Sequence, residues 1–287
     1  MKVNIMDKYS EESGELFESP LWHKGLLYWV DILKGVIYRR GKVEEKLSLG
    51  NYVSSIQPHV SHELVATSGR GFYLVDFNSG ARLGYEVKEW DSRNRFNDGK
   101  CDALGRYWAG TMNLEEKYPT GGLYVLDLNG SYREVISGTT ISNGMAWSLD
   151  NKLFYFIDTP TRKVFSFEFD LEGGRLGKKK VAFDFNSTRL SGNPDGMTID
   201  SEGKLWVALF GEGKVVRVDP ESHELLETIE VPTLNATSVA FGGENLDTLF
   251  VTTASIHLKE RDKNAGFVYY EKTSYRGLES FLCRVPT

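Results

Sequence analysis

Short apolar stretches alternate with polar turns along the chain, and one phrase of that alternation keeps returning. A polar or acidic residue opens it, a short strand follows, then a turn carrying Asp or Gly, then a strongly apolar strand. The phrase runs from Glu18 to Asp31, Asn97 to Gly110, Asn143 to Asp158, Asp195 to Ala208 and Ser238 to Thr252, with a weaker copy from Ser55 to Ala66. About six copies at a spacing of roughly 40 to 50 residues match the period of a four-stranded propeller blade. Between them lie alternating segments such as 122–127, 163–169 and 214–219, which read as half-buried strands. No amphipathic helix or low-complexity linker intervenes. The pattern predicts an all-β, six-bladed β-propeller as a single domain over residues 1–287. The run before Glu18 and the final segment from Glu279 to Val285 are expected to close the ring. A solenoid would use shorter repeats stacked in a line, and a sandwich has no need of one phrase six times.

Composition supports this reading. Aromatic residues reach 13% and glycines number 29, which favours strands joined by tight turns. The net charge of -6 and the lack of a basic block exclude a nucleic-acid surface. The run Lys178 to Lys180, close to Gly173, Gly174 and Gly177, reads as a solvated hairpin tip. Cys101 and Cys283 form no CxxC pair and are no disulfide framework, although one bridge between them stays open. Cys101 reads more simply as a small buried residue. Met1 to Pro20 is charged throughout and lacks the apolar core of a secretory signal. The longest apolar run, Leu153 to Ile157, is too short for a membrane span. A soluble protein in a reducing, cytoplasmic setting, with no nucleic-acid or membrane partner, is the expectation.

Candidate chemistry lies at the heads of the repeats. In a propeller the innermost strands surround an axis, so equivalent positions far apart in sequence converge. The heads are Glu18, Asn97, Asn143 and Asp195, with Ser55 and Ser238 at the other two positions. Two carboxylates and two amides form an oxygen-rich cage suited to Ca²⁺, Mg²⁺ or Mn²⁺, with Zn²⁺ as a further candidate. Asn-Gly and Asp-Gly are also common tight-turn dipeptides, so turn chemistry competes with this reading at Asn143 and Asp195. It does not account for Glu18, which precedes Ser-Pro. Nucleophile elbows, phosphate loops, dinucleotide fingerprints and HExxH are absent from the sequence. His59 and His62, in the weakest repeat, are poor candidates for a metal pair, and the tryptophans read as core.

At the same residues the chain resembles the SMP-30/gluconolactonase family. The resemblance is carried by Glu18-Ser-Pro-Leu-Trp22, Arg95-Phe-Asn-Asp-Gly-Lys-Cys-Asp102, Ala109-Gly-Thr-Met112, Ile141-Ser-Asn-Gly-Met-Ala-Trp-Ser148, Pro194-Asp-Gly-Met-Thr-Ile-Asp200, Gly203-Lys-Leu-Trp-Val-Ala208 and Thr237-Ser-Val-Ala-Phe-Gly-Gly243. It implies a six-bladed propeller with one divalent ion, Ca²⁺ in the first place, held by Glu18, Asn143 and Asp195. It implies that Arg95, Asn97 and Glu115, or the neighbouring Glu116, contact the hydroxyls of a sugar lactone. The implied activity is metal-dependent hydrolysis of that lactone, and Asp195, placed at the metal, is the candidate catalytic carboxylate that takes a proton from the attacking water. The same ion could serve other esters or organophosphates, and a non-catalytic metal-binding or protein-binding propeller is the alternative from outside enzymology.

Overall fold

The computed structural model describes residues 6–286. Six antiparallel sheets of four strands each make six blades. Blades 1 to 5 are each continuous in sequence, over residues 17–48, 53–86, 94–139, 142–184 and 193–230. Blade 6 takes three strands from residues 236–272, and its outermost strand is the N-terminal Asp7–Lys8, paired with Val268–Lys272. The innermost strands are Phe17–His23, Val53–Pro58, Asn94–Cys101, Ser142–Trp147, Asn193–Ile199 and Ala236–Gly242. Each touches the next in chain order, and the last touches the first, so the ring is closed.

The N-terminal run therefore closes the ring as expected, but the C-terminal segment does not. Instead, residues 278–282 form an exposed segment on the rear of the propeller, and Cys283 pairs with His59 of blade 2. There Cys283 forms a disulfide with Cys101, 182 residues away, and both are buried. The bridge ties the chain end to the inner strand of blade 3. The bridge that the sequence left open is therefore formed, and Cys101 is a buried half-cystine rather than only a small buried residue. Lys178 to Lys180 also falls elsewhere than expected: it lies on the outermost strand of blade 4, Arg175–Asp184, and is exposed there. Lys179 covers the Phe165 ring at 3.6 Å. His59 and His62 form no metal pair. His59 accepts from two backbone amides at Nδ1, and His62 meets Asp76 at 2.7 Å.

Apolar side chains alternate along each strand because the blades pack face to face. The buried ones fall into six clusters, one in each gap between adjacent blades. Trp29, Trp108 and Trp206 occupy the second strands of alternate blades and are fully buried. Burial of an aromatic of this size contributes about 2–3 kcal/mol. Each indole that repeats the Asp-to-Trp spacing also finds an acceptor. Trp108 donates to Asp102 at 2.8 Å and Trp206 to Asp200 at 2.9 Å, and these acids cap the turns at Gly105 and Gly203. Both glycines have left-handed φ, 94° and 77°, which explains Gly at these turns.

Loss of the Cys101–Cys283 bridge releases a closed loop of 182 residues. Cys283→Ser, or reduction of the native protein, should lower the unfolding free energy by about 2–5 kcal/mol in chemical denaturation. Identical curves with and without reductant would contradict this.

Candidate functional site

Every inner strand carries a register shift against its neighbour near its start. The shifts fall between Glu18 and Leu21, Val53 and Ser55, Phe96 and Gly99, Ser142 and Met145, Pro194 and Met197, and Ala236 and Ser238. These are β-bulges, which release a residue from the pleat and re-aim its side chain. In a regular strand a side chain would enter the gap between blades; at the bulge it turns to the axis. Asn97, Asn143 and Asp195 lie within bulges, and Glu18 opens one. The equivalent residues of blades 2 and 6 are Ser54 and Thr237, one position before the heads read from sequence.

The glycines after Asn143 and Asp195 settle the competing turn reading. Neither has a positive φ, so neither serves a tight turn. Instead the next blade leaves no room for a side chain. A Cβ on Gly196 would lie 2.1 Å from Ser238 Oγ and 2.7 Å from its Cα, and one on Gly144 would lie 2.6 Å from Met197 Cβ. Gly99 is confined by Ser55 of the preceding blade and Tyr107 of its own.

The bulge side chains also bond one blade to the next. Ser54 donates to Phe96 O (2.6 Å), Asn97 to Ser142 O (2.9 Å) and Thr237 to Phe17 O (2.5 Å). Asn143 Nδ2 donates to Thr159 Oγ1 at 3.0 Å, and that hydroxyl donates to Pro194 O at 2.8 Å. Each link ends on the carbonyl just before the next blade's bulge residue or head.

These links fix which atoms face the cavity. With Nδ2 of Asn143 on Thr159, its Oδ1 is left buried and without a hydrogen-bond partner. Glu18 and Asp195 line the same cavity of about 160 Å³. Burial, followed by the nearby Asp98, pushes the Glu18 carboxyl up to about 8. Burial, followed by Glu18 and Asp98, raises Asp195 well above the usual carboxylate range. Asp98 is raised by burial too, against the pull of Lys100. Glu18 Oε2 accepts from the Ser19 amide at 2.7 Å and Arg95 stands against the same cavity, yet two carboxylates and a partnerless amide oxygen converge there, a set that fits a hard cation.

Arg95 is buried against the cavity, and burial lowers its guanidinium to about 10. Its Nη1 donates to Phe96 O at 2.9 Å and to Asn97 Oδ1 at 2.7 Å. Asn97 therefore holds Arg95 with its oxygen and blade 4 with its nitrogen. Glu115 lies in the exposed loop after Asn113 and does not line the cavity, whereas Glu116 does, with a left-handed φ of 58°. Glu116 Oε1 stands 3.6 Å from Nε2 of His257, which comes from the loop between the last two strands of blade 6. Blades 3 and 6 face each other across the axis, so this pair spans the mouth. His257, Phe210 and Ile256 add an apolar and aromatic wall that no repeat head indicated.

Residues 16–255 match the family model described as SMP-30/Gluconolactonase/LRE-like region. The chain belongs to this family. It is 51% identical to an uncharacterized protein of Sulfolobus acidocaldarius over 97% of this chain and 99% of that one. It is 36% identical to regucalcin of Homo sapiens, over 83% and 82% of the two chains. The crystal structure of regucalcin from Agrobacterium tumefaciens, described as a calcium-binding protein, superimposes with a TM-score of 0.88 at 27% identity, covering 95% of both chains. The family includes sugar-lactone hydrolases of the gluconolactonase type.

The contact at Gly196 gives a direct test of the bulge geometry. Gly196→Ala should destabilise the protein by about 1–3 kcal/mol, since the clash involves backbone of the next blade. Thermal unfolding reads it, and an unchanged midpoint would show that the blades can separate without cost.

Proposed function

We propose that the protein is a divalent-metal-dependent hydrolase of sugar lactones, with Glu18, Asn143 and Asp195 as the metal ligands. The observation that carries this reading is the orphaned Oδ1 of Asn143 beside two buried carboxylates. A buried oxygen without a partner costs about 1–3 kcal/mol, and buried like charges cost more, unless a cation satisfies them. Membership of the family and the calcium-binding name of the Agrobacterium relative support the same reading, with Ca²⁺ favoured over Mg²⁺, Mn²⁺ or Zn²⁺.

When bound, such an ion polarises a carbonyl oxygen and lowers the pKa of water. The chain supplies the rest. Arg95, fixed by Asn97, presents its remaining N–H groups to ring hydroxyls and orients the lactone. Glu116, in the position first assigned to Glu115, accepts from hydroxyls at the mouth. The Asp195 carboxylate takes the proton of the attacking water as the new C–O bond forms, and returns it to the ring oxygen as the ester C–O bond breaks. The product is an open-chain aldonic acid. Burial of the reacting groups keeps competing water out and strengthens the charge interactions.

Chelator-stripped protein should hydrolyse glucono-δ-lactone only after a divalent ion is returned, followed by proton release. Asp195→Asn should reduce kcat by at least about 10²-fold, while Arg95→Met should chiefly raise KM. Full turnover in the Asp195 variant would remove it from the proposed role. Metal binding without lactone turnover would shift the assignment to another ester.

A further inference from the structure

The inner strand of blade 3 sends a second group into the axis, behind the candidate ligands. The Lys100 ammonium donates to Met145 O at 2.9 Å and to Met197 O at 2.6 Å. Those carbonyls belong to the inner strands of blades 4 and 5, each two residues beyond Asn143 and Asp195. Lys100 does not line the cavity that Glu18, Asn143 and Asp195 share, so it stands behind them.

Together with the links described above, this contact brackets both ligand residues. On blade 4, Ser142 O is held by Asn97 and Met145 O by Lys100. On blade 5, Pro194 O is held by Thr159 and Met197 O by Lys100. Lys100 is the one side chain common to both brackets, and it joins two separate blades at matching depth. An apolar residue there would leave two carbonyls of the channel-facing strand edges without this donor. It would also leave the separation of Asn143 from Asp195 to blade packing alone.

We propose that Lys100 is a positioning residue for the metal centre, setting the spacing of Asn143 and Asp195 by pinning the backbone behind each. This rests on the metal reading of the preceding section. It makes a prediction opposite in sign to plain electrostatics. A cation near a metal site repels the ion, so deleting the ammonium should tighten binding if charge alone matters. Loss of positioning should weaken it, as removal of a group that orients ligands does.

The test is calorimetric Ca²⁺ affinity of wild type and Lys100→Met, measured well below the melting point of each metal-free protein. Terbium luminescence lifetime on the same samples reports how many waters remain on the ion. The expected result is an affinity loss of about 10- to 100-fold with a shorter terbium lifetime. A role confined to fold stability would lower the melting temperature and leave the affinity and lifetime of the folded protein unchanged. Unchanged or tighter Ca²⁺ binding overturns the inference. If Lys100→Met does not fold, Thr159→Val cuts the opposite arm of the blade 5 bracket. It should weaken Ca²⁺ binding several-fold, and unchanged affinity there likewise refutes the bracket. Wild type that binds no Ca²⁺ withdraws the metal reading itself, and this inference with it.

Discussion

The constraint on which this structure depends is the exposed edge of each inner strand. Six sheets arranged around an axis leave six strand edges facing one another, and their backbone polar groups need partners. Full-length pairing between blades is impossible because neighbouring inner strands belong to separate sheets. The chain answers with a bulge at the same depth in every blade; from blades 2, 3 and 6 a short polar side chain there bonds the next blade's carbonyl, and from blade 4 the bond runs through Thr159. Close approach at the bulges excludes side chains after Asn143 and Asp195, hence Gly144 and Gly196.

The site is a by-product of that solution. Once bulges aim side chains at the axis, Asp, Asn or Glu in place of Ser or Thr brings a carboxylate or amide oxygen to the cavity. Blades 2 and 6 retain Ser54 and Thr237 as links only, whereas blades 1, 4 and 5 carry Glu18, Asn143 and Asp195. Asn143 shows both uses in one side chain, with its nitrogen holding Thr159 and its oxygen left toward the carboxylates. Glu18, Asp98 and Asp195 raise one another or are raised by burial, with Arg95 and Lys100 as the opposing positive charges.

Much of this was legible in the sequence because one phrase encodes one structural unit. The head, the Asp-Gly turn and the apolar second strand mark the axial half of each blade, so blade number and the residues Glu18, Asn97, Asn143 and Asp195 could be read directly. Ser55 and Ser238 were one residue out because a bulge shifts register, and polarity alone does not reveal which of two adjacent hydroxyl residues turns inward. Glu116 and His257 were harder for a different reason. They come from loops of unequal length, and their positions depend on where those loops fold back. The rear strap reads as ring closure from the sequence because the 182-residue separation of Cys101 and Cys283 carries no local signal.

The most direct test of the metal centre is a crystal structure of the protein with Mn²⁺ or Ca²⁺, locating the ion by anomalous scattering. The account predicts a single axial peak within about 2.0–2.6 Å of the Glu18 and Asp195 carboxylates and of Asn143 Oδ1, with the Asn143–Thr159 bond intact. An ion bound elsewhere, or Asn143 turned so that its nitrogen faces the carboxylates, would contradict it.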